Sequence, residues 1–249
     1  MASAEVLAGV DIVALRLGEA GALQLLLIRR GQAPFEGQWA LPGVLVNGRC
    51  ADASLDAAAE RALQGKARIA PQHLEQVATV GNAVRDPRGW SLSTFYLALL
   101  APDTELQGDD LRFVPLAEVL GEELPLPFDH AQLVAQAAER LAGKAVYTSL
   151  PLYLLAPRFT VTEALAAFQA SLGPPVQHTT LRGRLEKMKQ HGWILDTGER
   201  TSRRWAARSI CWSIARRHWG GSSSIAACCP DGRGVNFEPP SANLLKKSK

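Results

Sequence analysis

The chain has 249 residues, of which 47% are hydrophobic and 20% charged, proportions that are ordinary for a globular protein able to bury a core. No apolar stretch approaches the roughly 20 residues that a membrane-spanning helix needs. Two acidic residues precede the first basic one, which is wrong for a secretory signal. The four cysteines and five histidines have no metal-binding spacing. These features predict a cytoplasmic protein without a metal site, a disulfide framework or contact with a membrane.

Charge is divided unevenly along the chain. Residues 1–144 carry a net charge of −6 and residues 145–249 a net charge of +9, which together give the formal +3. An acidic first part joined to a basic second part indicates two tasks, the second with a polyanion. A basic surface that is merely solvated would give the same distribution.

The first half is predicted to alternate strands with a single helix. Apolar and β-branched runs predict strands over 5–17, 22–30, 74–84 and 91–101. A loop rich in Gly and Pro occupies 31–43, and a helix follows at 54–67 with Ser54 as its N-cap.

The second half is predicted to be mostly helical. Asp129 is expected to cap a helix over 129–145, and Thr160 and Glu163 have capping-box spacing at the start of a helix over 159–173. A further helix covers 178–192, and a strand entering a turn follows it. Helix, turn, helix, strand and turn in about fifty residues form the outline of a winged helix.

The sequence changes character from about residue 206. Three of the four cysteines, a GGSSS stretch and a Lys-rich end lie there, without a recognisable period. We expect an irregular tail over 206–249. A shifted reading frame near the end of the gene would produce the same change.

The motif that bears most on function lies between the second strand and the first helix. LLLIRRGQAPFEGQWALPGVLV followed by SLDAAAERALQGKARI resembles the Nudix box, G-x5-E-x7-R-E-U-x-E-E-x-G-U with U apolar. Gly43, Arg61, Leu63 and Ile69 match it, although the interval from Gly43 to Arg61 is four residues longer than the pattern. QWALPG before the box is typical of the family. An amphipathic surface helix in an unrelated α/β domain would explain the box matches alone.

The Nudix resemblance implies a metal-binding helix, and the metal-binding acids are missing. In Nudix hydrolases the box glutamates converge on Mg²⁺. The glutamate positions here are occupied by Ala53, Ala62, Gly65 and Lys66, and the later glycine position by Arg68. Metal-dependent diphosphate hydrolysis is therefore predicted to be lost, so that the chain is not an enzyme. The alternative is an ADP-ribose or nucleoside-diphosphate hydrolase that uses displaced acids such as Asp56 and Glu60.

Three further stretches extend the resemblance. RDPRGWSLSTFYLALL (85–100), LPFDHAQLV (126–134) and SLPLYLLAPRFTVTEAL (149–165) resemble the Nudix-related transcriptional regulators of NAD metabolism, and the likeness covers 5–204. It implies an α/β fold with a Nudix-like mixed sheet packed between helices over 1–125, a linker helix over 126–145 and an α+β winged helix-turn-helix domain over 146–205. It also implies a repressor that needs no cofactor, binds ADP-ribose or a related nucleotide as effector, and binds a palindromic operator as a homodimer.

A nucleotide site needs cations for the diphosphate and an aromatic or apolar platform for adenine. The candidates are Arg29, Arg30, Phe35, Trp39, Arg85 and Arg88. Lys66 could add a charge where the metal ion once lay. Pairing of the turn arginines with Asp86, and plain packing of the aromatic residues, remain open.

The helix over 178–192 divides into two faces. Leu181, Leu185 and Met188 fall on one face, which is expected to be buried. The other face and the wing supply the predicted DNA contacts, namely Thr179, Thr180, Arg182, Arg184, Lys187, Gln190, Arg200, Arg203 and Arg204. Family members end the wing with a Gly-Arg-Pro-like phrase and a final strand, whereas RRWAARSICW stands here and leaves the wing in doubt. Two alternatives remain open: the winged helix serves dimerisation alone, or the chain is a binding module without DNA activity.

Overall fold

The computed structural model describes residues 6–48, 52–173, 177–201 and 209–214. The strands in this part of the chain are β1 (Leu7–Leu17), β2 (Leu23–Arg29), β3 (Trp39–Ala40), β4 (Gly43–Leu45), β5 (His73–Asn82), β6 (Ser91–Leu99), β7 (Leu111–Pro115), β8 (Arg158–Thr160), β9 (Ile194–Thr201) and β10 (Ser209–Ile214). The helices are α1 (Leu55–Ala67), α2 (Leu116–Leu120), α3 (His130–Ala145), α4 (Val161–Leu172) and α5 (His178–Gln190), with a 3₁₀ turn at Leu150–Leu154.

Strand β1 lies at the centre of a seven-stranded mixed sheet. It pairs in parallel with β6 and antiparallel with both β2 and β4. β3 and β7 pair with β2, and β5 pairs with β6 at the far edge. This arrangement confirms the predicted mixed sheet.

The sheet is packed between helices because β1 contributes side chains to both of its faces. Val13 and Leu15 join a buried cluster that includes Leu133 of α3, whereas Ile12 joins a second cluster that includes Leu63 of α1. Successive side chains of a strand point to opposite faces. A strand covered on both faces is apolar almost throughout, which explains the composition of β1.

Helix α1 begins at the predicted N-cap, Ser54, and is followed by a residue in the left-handed conformation. The Ser54 hydroxyl accepts a hydrogen bond from the Ala57 N–H at 3.1 Å, which confirms Ser54 as the N-cap. Arg68 follows the helix in the left-handed conformation, with φ 55° and ψ 36°. Glycine is the usual residue at such a helix end. The left-handed conformation therefore explains why the Nudix box has glycine at this position. Arg68 adopts the same conformation here although it carries a side chain.

The two predicted caps in the second half have different outcomes. The capping box of α4 is confirmed, since the Thr160 hydroxyl accepts from the Glu163 N–H at 3.2 Å and the Thr160 N–H donates to Glu163 Oε2 at 2.7 Å. The predicted capping of α3 by the Asp129 side chain is wrong. Asp129 occupies the N-cap position but makes no capping hydrogen bond, because its carboxylate binds Arg85.

The last elements form the predicted winged helix. Helices α4 and α5 are followed by β9 and β10, and the second sheet has the order β8-β10-β9 with antiparallel pairing. The expectation of an irregular chain from residue 206 is wrong at Ser209–Ile214, which form the central strand of this sheet. The alternation in SICWSI is a strand signal. Residues 206–208 and 215–249 lie outside the described residues.

The described residues belong to one compact unit, and a single apolar cluster extends from β1 and β2 through α3 to α4 and α5. The core of the described residues is therefore continuous across the predicted domain boundaries, and those boundaries remain predictions from the order of the elements. Within the described part of the chain, every helix is too short or too polar to cross a bilayer.

Candidate functional site

A cavity of about 850 Å³ opens where β1, β2, β4, α1 and the start of α3 meet. This volume suits a small organic ligand. The cationic side chains on its wall are those of Arg29, Arg30, Arg61, Lys66, Arg85 and Arg88, and the acidic ones are those of Asp11, Asp86 and Asp110. The excess of cations favours an anionic ligand. Four of the six predicted ligand residues, the arginines, lie on this wall.

Arg85 is largely committed to contacts within the protein. Its guanidinium group donates two hydrogen bonds of 2.9 Å to Asp129 and one of 3.3 Å to Asp11, and only 7% of the side chain is exposed. Burial alone would lower the pKa of Arg85, but the hydrogen bonds and charges of Asp129 and Asp11 raise it. Arg85 therefore reaches the cavity only as part of a charged network.

Arg88 is the turn arginine that pairs with Asp86, one of the alternatives that the sequence left open. Its Nη2 and Nε atoms donate to the two Asp86 carboxylate oxygens at 2.7 and 3.0 Å. This pairing raises the pKa of Arg88 and lowers that of Asp86. Asp86 is buried, whereas the Arg88 side chain is 41% exposed and can still meet an anion.

Three cations of the described wall form no ion pair there: Arg29, whose Nε donates to the Gly37 carbonyl oxygen at 3.2 Å, Arg30 and Lys66. Arg30 donates to the Pro34 carbonyl at 2.8 Å and places its guanidinium carbon 4.8 Å from the centre of the Phe128 ring. The pKa of Lys66 is lowered by burial and then by the positive charge of Arg30. Two of the three wall carboxylates, Asp11 and Asp86, are ion-paired with arginines. The side chains of Arg30 and Lys66 are therefore positioned to bind an incoming anion.

The aromatic residue on the cavity wall is one that the sequence did not single out. Phe128 lines the cavity, and Phe35 contacts it edge-on from behind with 4.8 Å between ring centres. Both residues have positive φ, 59° and 62° respectively, a conformation that costs a non-glycine residue of order 1 kcal/mol and is common at ligand sites. Trp39 is a wrong prediction as a platform. It stacks on Arg112 at 4.2 Å and packs against the α3 side of the sheet.

Two further polar residues of the wall, the buried His130 and the partly buried Asp11, were missed. His130 Nδ1 accepts a hydrogen bond from the Leu41 N–H at 3.1 Å, and its Nε2 lies 3.6 Å from Asp11 Oδ1. Burial lowers the pKa of His130, so the ring is neutral at pH 7. Asp11 also accepts from the Ser93 hydroxyl at 2.7 Å. An acidic residue inside the apolar run of β1 was the signal in the sequence.

The α1 residues at the box positions do not fit a divalent cation. Ala62 is buried in the core and Gly65 has no side chain, which leaves Lys66 as the one functional group of the three. Among the described residues, no three His, Cys, Asp or Glu side chains cluster so that they could hold a metal ion. Any contact that these α1 positions make with a diphosphate therefore has to come from Lys66 itself.

The remaining box contacts are structural. Arg61 donates two hydrogen bonds of 2.7 Å to Asp52, one residue from the aligned Ala53, and this pairing lowers the pKa of Asp52 to about 2. Asp52 was not singled out in the sequence, because the interval between Gly43 and Arg61 is longer than in the Nudix box and the box glutamate aligns with Ala53. Gly43 is required because a Cβ atom there would lie 2.3 Å from Asp11 Oδ1 and 2.9 Å from the Val10 carbonyl oxygen.

The two displaced acids do not support the hydrolase alternative. Asp56 accepts a hydrogen bond from the Tyr96 hydroxyl at 2.7 Å, and neither Asp56 nor Glu60 lines the cavity. Their carboxylates therefore have structural or solvent partners and not catalytic ones.

Helix α5 has the two faces that the sequence predicts. Leu181, Leu185 and Met188 are 3%, 1% and 3% exposed and join the core of α3 and α4. The predicted DNA-contacting residues that are exposed are Thr179, Thr180, Arg182, Lys187 and Gln190. The helix thus presents an uncovered polar and basic surface.

Arg184 is a correction to the predicted DNA contacts. Its guanidinium group donates to the carbonyl oxygens of Ala145 and Thr148 and stacks on Phe168 at 4.8 Å. Burial lowers its pKa. It joins α5 to the end of α3 and is not free to bind phosphate. Arg200 lies in β9, where its side chain is not described, and Arg203 and Arg204 lie outside the described residues.

Comparison with known proteins gives the family. No family model matches the chain. An ADPR responsive transcriptional repressor, NtrR of Acinetobacter baylyi, is 41% identical over 169 residues, which are 66% of this chain and 66% of the relative. The chain thus spans about two thirds of that relative's length.

Two solved structures are similar as well. Shewanella oneidensis NrtR complexed with a 27mer DNA is 35% identical, with a TM-score of 0.73 over 83% of this chain and 92% of that one. The Nudix domain of the same regulator, complexed with ADP ribose, is 40% identical, with a TM-score of 0.52 over 56% of this chain and 91% of that one. The chain therefore belongs to the NrtR family of Nudix-related transcriptional regulators.

Proposed function

We propose that the chain is a cytoplasmic transcriptional repressor that binds ADP-ribose or a related nucleotide in the cavity and operator DNA through α5 and the wing. The proposal is supported by the Acinetobacter repressor, which responds to ADPR, and by the Shewanella regulator, whose structures contain DNA and ADP ribose. The likeness to regulators of NAD metabolism makes genes of NAD metabolism the proposed targets.

The observation that carries the proposal is the replacement of metal ligands on α1. A cavity of suitable size lies beside this helix, and the box positions hold Ala62, Gly65 and Lys66. A sensor has to release its ligand intact, and the loss of these ligands removes the chemistry that would destroy it. The diphosphate is then bound by cationic side chains, chiefly Lys66 and Arg30, while Phe128 offers the adenine an apolar surface.

The proposed DNA surface is the exposed face of α5. Thr180 and Gln190 can form hydrogen bonds with base edges, while Arg182 and Lys187 can neutralise phosphates. Winged helices place such a helix in the major groove, and a twofold dimer matches a palindromic site with half-sites about one helical turn apart. We therefore propose a homodimer on a palindromic operator.

Incubation with ADP-ribose separates the sensor from the hydrolase. The account expects calorimetric binding of ADP-ribose in EDTA with an affinity that Mg²⁺ leaves unchanged, and no AMP after prolonged incubation with Mg²⁺. Steady production of AMP by the purified chain, abolished by EDTA, would contradict the proposal. A family hydrolase with intact box glutamates is the positive control.

A further inference from the structure

Helix α3 connects the cavity to the helix proposed to read DNA. Its first residue, His130, lies on the cavity wall, and Asp129 just before it binds Arg85. At its other end, the carbonyl oxygens of Ala145 and Thr148 accept hydrogen bonds from Arg184 of α5. The 16-residue α3 therefore has a residue of the cavity wall at its start and accepts a hydrogen bond from α5 at its last residue, Ala145.

The contact at the start of α3 has an alternative. Asp129 occupies the N-cap position, where aspartate normally accepts a hydrogen bond from the helix backbone, but here its two oxygens accept from Arg85 at 2.9 Å each. The φ and ψ of Asp129 are −99° and 18°, outside the extended region of a capping residue. Asp129 can thus bind Arg85 or cap α3, and the two uses exclude each other.

We propose that Asp129 is the switch residue of this regulator: an anionic group of the effector takes its place on Arg85, and the released carboxylate caps α3 in a new position. The inference rests on the proposed function, because it requires an anionic effector in the cavity. Arg85 lies on the cavity wall, whereas Asp129 does not line it. An incoming phosphate can therefore reach Arg85 from the cavity and compete with Asp129 for the guanidinium group.

The exchange replaces one anion on Arg85 with another and gives α3 a capping side chain. Arg85 keeps a charge-assisted hydrogen bond when one anion replaces another. Asp129 gains a capping hydrogen bond with the helix backbone, which stabilises the start of α3. Arg85 also keeps Asp11, which binds it at 3.3 Å. The effector therefore has to supply only the small difference between the two arrangements, which is the condition for a ligand to shift a population.

Movement at the start of α3 can be transmitted to α5 because hydrogen bonds from Arg184 hold the other end of α3 against α5. Arg184 donates to two carbonyl oxygens there and stacks on Phe168 of α4. A rotation or shift of α3 that preserves these contacts moves α5 with it. The positions of the two α5 helices in a dimer, and hence the match to two half-sites, would then change.

The test compares Asp129→Asn and Asp129→Ser with the wild-type chain. Both substituents can cap a helix but lack the charge that holds Arg85. We measure DNA affinity by fluorescence anisotropy on the duplex upstream of the chain's own gene, with and without ADP-ribose, and ADP-ribose affinity by calorimetry. Each variant is expected to bind DNA without ADP-ribose as weakly as the wild type binds it with saturating ADP-ribose.

The size of the effect is set by the coupling. Allosteric coupling of ordinary strength changes affinity about 5- to 150-fold, and the response of either variant to ADP-ribose is expected to fall to within about twofold. ADP-ribose binding itself should be retained or tightened, because Arg85 is no longer shared. Asp103→Asn, which removes an exposed acid that belongs neither to α3 nor to the cavity wall, is the matched control and should respond as the wild type does.

The outcomes separate the two levels of the account. If the wild-type chain binds neither ADP-ribose nor DNA, the proposed function fails. If the wild type responds and a folded Asp129 variant responds equally, the switch is wrong and the function stands. Loss of folding in both variants would also overturn the switch, because a contact that an effector can replace cannot be indispensable to the fold.

Discussion

Glu75 fastens the second half of α3 to the edge of the sheet, and its replacement gives a quantitative test of the structure. Its carboxylate hydrogen bonds with His73 at 3.0 Å, with Arg140 Nε at 3.2 Å and with Lys144 Nζ, and only 14% of the side chain is exposed. Burial alone would raise the pKa of Glu75, but these hydrogen bonds outweigh it and lower the pKa to about 2. The perturbation is Glu75→Gln.

The depressed pKa sets both the size and the sign of the effect. A difference between an ordinary value of 4.5 and about 2 corresponds to about 3 kcal/mol, and screening at the solvent-facing Arg140 leaves about 2 kcal/mol. Because the folded state holds the proton less tightly than the unfolded state, this contribution is fully present above pH 4.5. It is lost as the pH falls from there towards 2.

Urea unfolding followed by circular dichroism at pH 7, 5, 4 and 3 measures this contribution. Glu75→Gln is expected to lower the free energy of unfolding by about 2 kcal/mol at pH 7 and by nearly as much at pH 5, with smaller differences at pH 4 and pH 3. Glu139 is an exposed acid on α3, and Glu139→Gln is the control, which should change the free energy of unfolding little at any pH. Equal stability of Glu75→Gln and the wild type at pH 7, or a difference that does not shrink at pH 3, would refute the ion-pair reasoning.

Three further predictions concern the box, the effector and DNA. Gly43→Ala should lower the free energy of unfolding by about 1–3 kcal/mol, because the new Cβ atom would overlap Asp11. Gly65→Ala, which has open space around it, should instead raise the free energy of unfolding by about 1 kcal/mol; a Gly43→Ala variant more stable than Gly65→Ala would contradict the packing. Lys66→Met should weaken ADP-ribose binding about tenfold in EDTA, as measured by calorimetry, and an unchanged affinity would exclude Lys66 as a phosphate contact. Lys187→Met should weaken DNA binding on all sequences and reduce the slope of log affinity against log salt by about 1; an unchanged slope would remove Lys187 from the DNA surface.

Much of the fold could be predicted because local rules act there without competition. Leu181 and Leu185 recur at helical spacing and are buried, and the Thr160–Glu163 capping box forms as its spacing predicts. The β10 strand was missed although SICWSI alternates, since the surrounding composition was unlike that of an ordered domain. In these elements the periodicity was more informative than the composition.

The candidate site was harder to predict because its partners are distant in the sequence. Arg85 and Asp129 are 44 residues apart, and Asp129 was expected to cap α3 because the capping rule considers only the local helix. Arg184 was assigned to DNA from its charge, whereas its partners are carbonyl groups 36 and 39 residues away. Local pattern identifies which residues are charged, and only the tertiary contacts decide which charges remain available to a ligand.

The central claim is that this Nudix domain controls DNA binding by holding a nucleotide that it does not cleave. The most direct measurement is the anisotropy of a labelled duplex from the chain's own upstream region, titrated with ADP-ribose in EDTA, with chromatography of the nucleotide after an equal incubation in Mg²⁺. The account predicts that ADP-ribose releases the duplex in EDTA and is recovered intact after Mg²⁺. A duplex that stays bound at saturating ADP-ribose, or a nucleotide recovered as AMP, would contradict it.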